Sequence, residues 1–341
     1  MNWEELQKII PDHGFVEKYE IYRRTRPTAT LIVLRTVTDP ILFRNTDSER
    51  AETQEFNGHI HAQVNPEKFV SKERLTGLNI CRELDKNENI ICKTYTYNEP
   101  TNSLPSSQTA DLLTYGLAGT VSGATFSQKS RVIQGYTYSL EPYDLISRET
   151  HNAIYESGTM RDEQGSQSEA LFNPVKVQPG THFIHFITLE AGTKEMFLYL
   201  LYNILNTGRY GARETRSGRN MKNEILGVIS SSGDSCLSCG EFIQDWIQKQ
   251  PENGFTRETI KELISKYIGQ HKRVDWRIYY ESGPKFVEVN TPKDSKPEEV
   301  KWIKDTINVA NKKNEGDLEI IAEALQILRA QGLGAVTDKK E

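Results

Sequence analysis

Cysteine is scarce. Four in 341 residues are too few for the disulfide framework of a small secreted domain. Long apolar runs are also lacking. The longest, Phe197–Leu205, is about half of what a membrane span needs, so no membrane partner is expected. The N-terminus, MNWEELQKII, carries acids where a secretory leader needs basic residues, and no apolar segment follows. The expected location is therefore the cytoplasm. Positive charge is in slight deficit, with 42 Lys+Arg against 47 Asp+Glu and a net charge of −5. That excludes a uniformly basic nucleic-acid binder. It leaves room for a local basic groove, because phosphate binding follows the field at the site. Hydrolase signatures are missing too: there is no HExxH, no nucleophile elbow and no Ser/His/Asp order.

What remains reads as a folded, soluble chain, 36% hydrophobic and 26% charged, long enough for one large domain or two ordinary ones. Thr28–Val37 (TATLIVLRTV) is rich in β-branched residues and predicts a strand. Ala51–Val64 alternates weakly, as an extended arm or a second strand. Pro66 then opens a helical spacing of Phe69, Leu75, Leu78 and Cys81. Arg131–Leu140 predicts a strand, Thr181–Leu189 a buried strand, Thr193–Leu205 a buried helix and Glu224–Ser230 a strand. Three helical patterns follow, near residues 239–250, 256–269 and 317–330, with an irregular bridge between. Stripped of insertions, the order is strand, helix, strand, strand, helix, strand. That predicts an α+β fold, a modified RNA-recognition-motif (ferredoxin-like) core with an antiparallel sheet and large inserted peripheral domains. The core is placed at 28–232, interrupted at about 85–130 and 141–180, with a helical peripheral region over 233–341.

The strongest chemical signal lies in residues 209–222. Arg209, Arg213, Arg216, Arg219 and Lys222 face Glu214 alone, a net +4 within an acidic chain. Gly208, Gly211 and Gly218 are interleaved, so the backbone can turn sharply and approach a ligand. Arginine's planar fork suits phosphate oxygens; a solvated surface loop is the bland alternative. A second stretch, Tyr115–Gly123 followed by Gln128-Lys129-Ser130-Arg131, is glycine-rich with two cations, but its spacing matches neither phosphate-loop fingerprint. By itself it reads as a hairpin tip or a loop. Tyr136 and Tyr138 would share one strand face, for base stacking or plain packing. His59 and His61 would also share a strand face, which suits a metal pair, whereas His182 and His185 fall on opposite faces of a buried strand. Cys236 and Cys239 have the spacing of half a zinc site that Cys81 and Cys92 could complete. Asp39 and Asp47, in the loop after the first strand, are the carboxylates placed for a two-metal site; an aspartate in a turn otherwise serves the turn.

The segments YGLAGTVSGATFSQKSRVIQGYTYSLEPYD (115–144) and NTGRYGARETRSGRNMKNEILGVI (206–229) resemble the backbone subunit of the type I-D CRISPR effector complex (Cascade), of the repeat-associated RNA-recognition-motif (RAMP) superfamily. ETHNAIYESGTM (149–160) and RNTDSERAE (44–52) are similar in placement. The resemblance implies a non-catalytic subunit in antiviral defence. Further copies of it polymerise along a CRISPR guide RNA and present the guide to target DNA beside other effector-complex subunits. It implies guide-gripping roles for Lys129, Ser130, Arg131, Arg209, Tyr210, Arg213, Arg216 and Arg219, to which the basic loop adds Lys222. It also implies an inserted thumb, either around 115–135 or within 141–180. Relatives often carry a cysteine-rich zinc insertion before the YG segment; here only Cys92 stands in it. Superfamily relatives in type III complexes cut the target strand with an acid from the loop after the first strand. Asp39 or Asp47 would take that part in the alternative, a ruler-type metal-dependent endonuclease.

Overall fold

The computed structural model of the chain describes residues 1–19, 27–44, 51–88, 109–121, 124–149, 175–215, 218–231, 233–249, 255–270, 274–281, 285–288 and 298–337. In chain order its elements are α1 (Trp3–Ile9), β1 (Thr28–Val37), β2 (Thr53–Phe56), β3 (His59–Val64), α2 (Glu67–Glu88), α3 (Ala110–Tyr115), β4 (Leu117–Val121), β5 (Ala124–Gln128), β6 (Val132–Gln134) and β7 (Thr137–Tyr138). They continue with α4 (Tyr143–Ile146), β8 (Ser147–Glu149), β9 (Val175–Val177), β10 (His182–Glu190), α5 (Lys194–Asn206), β11 (Met221–Ser231), α6 (Cys239–Lys249), α7 (Arg257–Gln270), β12 (Val274–Glu281), β13 (Lys285–Glu288), α8 (Glu298–Ala310) and α9 (Asp317–Thr337).

The main sheet runs β13-β12-β11-β1-β10-β6, with every neighbouring pair antiparallel. Within it, β1, α2, β6, β10, α5 and β11 reproduce the predicted order. Their strands lie 4-1-3-2 in the sheet, the ferredoxin-like arrangement. β1 sits at the centre because both its faces are apolar. Leu31 and Val33 enter one core, with Phe197, Leu201, Trp302 and Leu325; Ile32 and Leu34 enter the other, with Phe186, Phe242, Trp246 and Ile264. α5 is buried from Met196 to Ile204, as a helix apolar all round must be. The Thr193 side chain caps it by accepting from the Met196 N–H at 3.4 Å.

Three expectations are revised. Arg131–Leu140 is not one strand: the chain breaks at Gly135 and Tyr136, so β6 joins β10 in the main sheet while β7 pairs with β3. Residues 233–341 are neither wholly helical nor peripheral. They add β12 and β13 to the sheet, lay α6 and α7 over one face, and place Trp302, Ile321 and Leu325 in the core on the other. Ala51–Val64 is a hairpin, β2–β3, turned at Asn57 and Gly58, both with positive φ. Among the described residues, no helix is long and apolar enough to cross a membrane.

Candidate nucleic-acid interface

The loop from Thr207 to Asn220 joins α5 to β11 at the sheet end marked by Val37, which pairs with Met221. It is closed at its base, where the Asn220 N–H donates to Gly208 O at 2.8 Å. It is also strapped to the segment after β1: the Thr38 hydroxyl donates to Arg219 O at 3.0 Å and the Ala212 N–H to Leu42 O at 2.8 Å. Arg209, Arg213 and Arg219 are exposed on it; Arg216 lies outside the described residues. Lys222, also exposed, is met by Glu224 at 3.2 Å, and the other Glu224 oxygen receives Arg257 at 2.9 Å. Gly211, at φ 78°, lets the loop lie against its own neighbour. A Cβ there would stand 2.7 Å from Leu42 O.

Under this display the loop is polar and buried. Asn220 pairs with both main-chain groups of Tyr210, accepting from its N–H and donating to its carbonyl, each at 2.9 Å, and donates to Thr215 O at 2.7 Å. The two N–H groups of Asn223 Nδ2 are shared among Ile204 O, Thr207 O and the Tyr210 hydroxyl, each 2.8–2.9 Å away. They thereby satisfy carbonyls that the end of α5 leaves without helical partners. Tyr210 is fully buried, and burial first, then the Glu73 carboxylate, push its hydroxyl far above the usual range. At the centre is Arg35 on β1, 0% exposed. It pairs with Glu73 at 2.7 Å and donates to Asn223 Oδ1 at 3.0 Å, to the Tyr210 hydroxyl at 3.2 Å and to His185 Nδ1 at 3.2 Å. Burial opposes the charge on Arg35, and Glu73 and Tyr210 together outweigh it, so the guanidinium is held protonated more firmly than a free one. Its Cζ lies over the Phe69 ring, 4.1 Å from the centroid.

The structure corrects two of the assigned side chains. Tyr210 anchors the loop from inside and does not face a ligand. Arg131 is 2% exposed, donates to Ala191 O at 3.0 Å and stacks on Tyr19. Ser130 exchanges hydrogen bonds with Val132; Lys129 is exposed. These residues follow the β4–β5 hairpin, the described part of the expected 115–135 thumb. Its root is set by Arg74, which forms a bidentate pair with Asp111 and donates to Gly116 O at 2.9 Å. The two basic segments are not one patch. Arg131 adjoins Glu190, the partner of Thr28, whereas the arginine loop adjoins Val37; they are about 30 Å apart along β1.

Asp39 is exposed, and its N–H meets Asn220 O at 3.4 Å, beside the arginine loop. Asp47 and Cys92 lie outside the described residues. Among those described, no three His, Cys, Asp or Glu side chains converge as metal ligands. The proposed cysteine set does not assemble: Cys81, on α2, lies in the core it shares with α5, whereas Cys236 and Cys239, the first residue of α6, lie in the core across the sheet. His61 is buried, with Nδ1 at 2.7 Å from Ser139 O, and His182 is stacked on Phe255 and paired with Glu141. Tyr136 is exposed and Tyr138 packs on Phe56. Arg35, Glu73, Asn220 and Asn223 were missed by sequence reasoning. A lone arginine in the otherwise uncharged run of β1 was the available signal.

The architecture defines a class: a ferredoxin-like α+β protein of RNA-recognition-motif type, its sheet face closed by helices and a braced arginine loop at one sheet end. The chain belongs to the Csc2 CRISPR family, whose model matches residues 53–275. Its fold is similar to that of the crystal structure of Thermofilum pendens Csc2, at 16% identity over 98% of this chain and 95% of that one, with a TM-score of 0.58. It is also similar to a chain titled CRISPR RNA-guided surveillance complex, pre-nicking, at 10% identity over 82% of this chain and 100% of that one, TM-score 0.51. Among curated proteins none matches.

Proposed function

We propose that the chain is the guide-RNA-binding backbone subunit of a type I-D CRISPR surveillance complex. In this reading it polymerises with further copies of itself along the guide and leaves the bases free to pair with target DNA. The observation that carries this is the loop itself: three exposed arginines, held on a braced scaffold, in a chain whose net charge is −5. The closed sheet supports the same reading. An ordinary RNA-recognition motif stacks bases on exposed aromatics of its central strands; here Phe186 on β10 is packed edge-on against Phe242 of α6 at 5.8 Å. A guide of arbitrary sequence is gripped through phosphates, and such binding is salt-dependent and indifferent to sequence. Family membership, and the resemblance of the fold to a chain of an RNA-guided complex, point the same way. The reading needs no cofactor.

The test is a titration of the purified chain with short single-stranded RNAs of different sequence across a salt series. Wild type is expected to bind all of them, with affinity falling steeply as salt rises. Replacing Arg209, Arg213, Arg216 and Arg219 with Ala is expected to weaken binding evenly and flatten the salt dependence. An unchanged titration would overturn the assignment. Because Asp39 lies against this loop, a guide-paired target strand with Mg²⁺ belongs in the same experiment. Cleavage that Asp39→Asn abolishes would replace the non-catalytic reading with the nuclease one.

A further inference from the structure

We infer that Asn220, Asn223 and Tyr210 are positioning residues that set the spacing at which the arginine loop meets an RNA backbone. The inference rests on the reading of this loop as the guide grip. Cations on a slack loop would still attract a polyanion, but each phosphate contact would then bear the cost of ordering both backbone and side chain. This loop has one large buried ring, Tyr210, so its hydroxyl and two buried amides, Asn220 in the loop and Asn223 on β11, do the ordering. Asn220 acts as a substitute strand neighbour for Tyr210, using both ends of its amide, and it directly follows Arg219. The amide thus fixes the backbone from which Arg219 projects. Asn223 ties the last turn of α5 to the Tyr210 hydroxyl, and so fixes where Arg209 leaves the helix end.

Arg35 shows that this arrangement serves more than stability. A fully buried guanidinium–carboxylate pair is weak evidence of stabilisation, because an apolar replacement of similar volume is often as stable. What the charged group adds is direction. Its guanidinium holds the Asn223 oxygen and the Tyr210 hydroxyl at once, and the hydroxyl in turn donates to Glu73 at 3.1 Å. One orientation of Tyr210 brings its hydroxyl within reach of Arg35, Glu73 and Asn223 together. The loop's spacing is thereby tied to the central strand of the sheet and not to the loop's own flexible sequence.

The experiment uses the full chain and compares Tyr210→Phe and Asn220→Ala with wild type and with the four-arginine variant. The readouts are the slope of log affinity against log salt for a single-stranded RNA homopolymer and amide hydrogen exchange over residues 207–220. Tyr210→Phe keeps the ring packed on Phe69 and removes only the hydroxyl, so it tests the idea even if Asn220→Ala fails to fold. The expected result is faster exchange confined to the loop, binding about tenfold weaker, and a slope shallower by about 0.7 for each phosphate no longer neutralised. A smaller folded fraction alone would lower the binding stoichiometry and leave the slope intact. If the arginine variant loses binding while Tyr210→Phe keeps the wild-type slope and affinity, the positioning role is wrong and the grip assignment stands. If the arginine variant binds as wild type does, the grip assignment falls and this inference with it.

Discussion

His185 occupies a position that requires a neutral imidazole. Its Nδ1 accepts from Arg35 at 3.2 Å, its Nε2 lies 3.1 Å from Gly135 O as the donor, and it is fully buried. Burial, then the charge of Arg35, hold it well below the ordinary histidine range. The unfolded chain takes up this proton near about pH 6.5 and the folded one does not. The stabilisation is therefore present above about pH 6.5 and is lost as pH falls below it, at up to about 1.4 kcal/mol per unit for one proton. Thermal unfolding from about pH 8 to about pH 5 should show that decline, and the difference between wild type and His185→Gln isolates it. The comparison is needed because burial shifts His61 in the same direction and the Glu195 carboxyl in the opposite one. Gly211 is the second residue-scale case. Interleaved glycines in a cationic loop suggest close approach to a ligand, yet Gly211 makes room for Leu42 O and the Ile41 side chain. Gly211→Ala combines positive φ with that clash and is expected to cost about 1–3 kcal/mol in denaturant unfolding. Residue type showed that the backbone needed freedom here; which neighbour demanded it is settled far away in the chain, in the segment after β1.

At the scale of elements, legibility followed continuity. β1, β10, α5 and β11 are each predominantly apolar over a suitable length, and each was read from that to within a few residues. The β2–β3 turn was signalled locally by Asn57-Gly58, but short, exposed β2 has too little apolar content to mark a strand. Arg131–Leu140 has strand composition throughout. It breaks because Val132 faces the helix-side core while Thr137 is drawn towards Ile184 O, to which its hydroxyl donates at 2.6 Å. Least legible were α6 and α7. Their amphipathic pattern announces helices, but not that they cover the sheet face on which a simpler relative of this fold would bind bases. The consequence is testable. Phe186→Leu should leave RNA affinity unchanged across the salt series, because the ring is sealed beneath Phe242. Removing a stacking platform would instead cost about 1–3 kcal/mol per base.

At the scale of the whole molecule, the chain is more tightly interwoven than its composition suggests. Two ends distant in sequence close one core: Trp3 and Leu6 of α1 lie with Trp302 of α8, Leu325 of α9 and Phe197 of α5. Polar pairings repeat the pattern. The Trp3 N–H donates to Glu323 at 2.8 Å, the Tyr19 N–H to Gln331 at 2.9 Å, and Asn206 at the end of α5 to Ala310 O at 2.7 Å. A boundary near 233 follows from composition because β11 ends there and helical patterns begin. Composition carries no record of which face those helices cover. If residues 233–341 were an appended domain, a chain ending at residue 297 would keep the ferredoxin-like core and its cooperative unfolding. In the observed packing that truncation removes α8 and α9 and uncovers Phe197 and Leu6. Burying a side chain of that size contributes about 1.5–3 kcal/mol, and exposing several of them equals or exceeds the net stability of a typical domain. The truncated chain is therefore expected to be insoluble or to unfold without a cooperative transition in circular-dichroism melting. A sharp melt close to that of the full chain would show that α8 and α9 are dispensable to the core and overturn this packing argument.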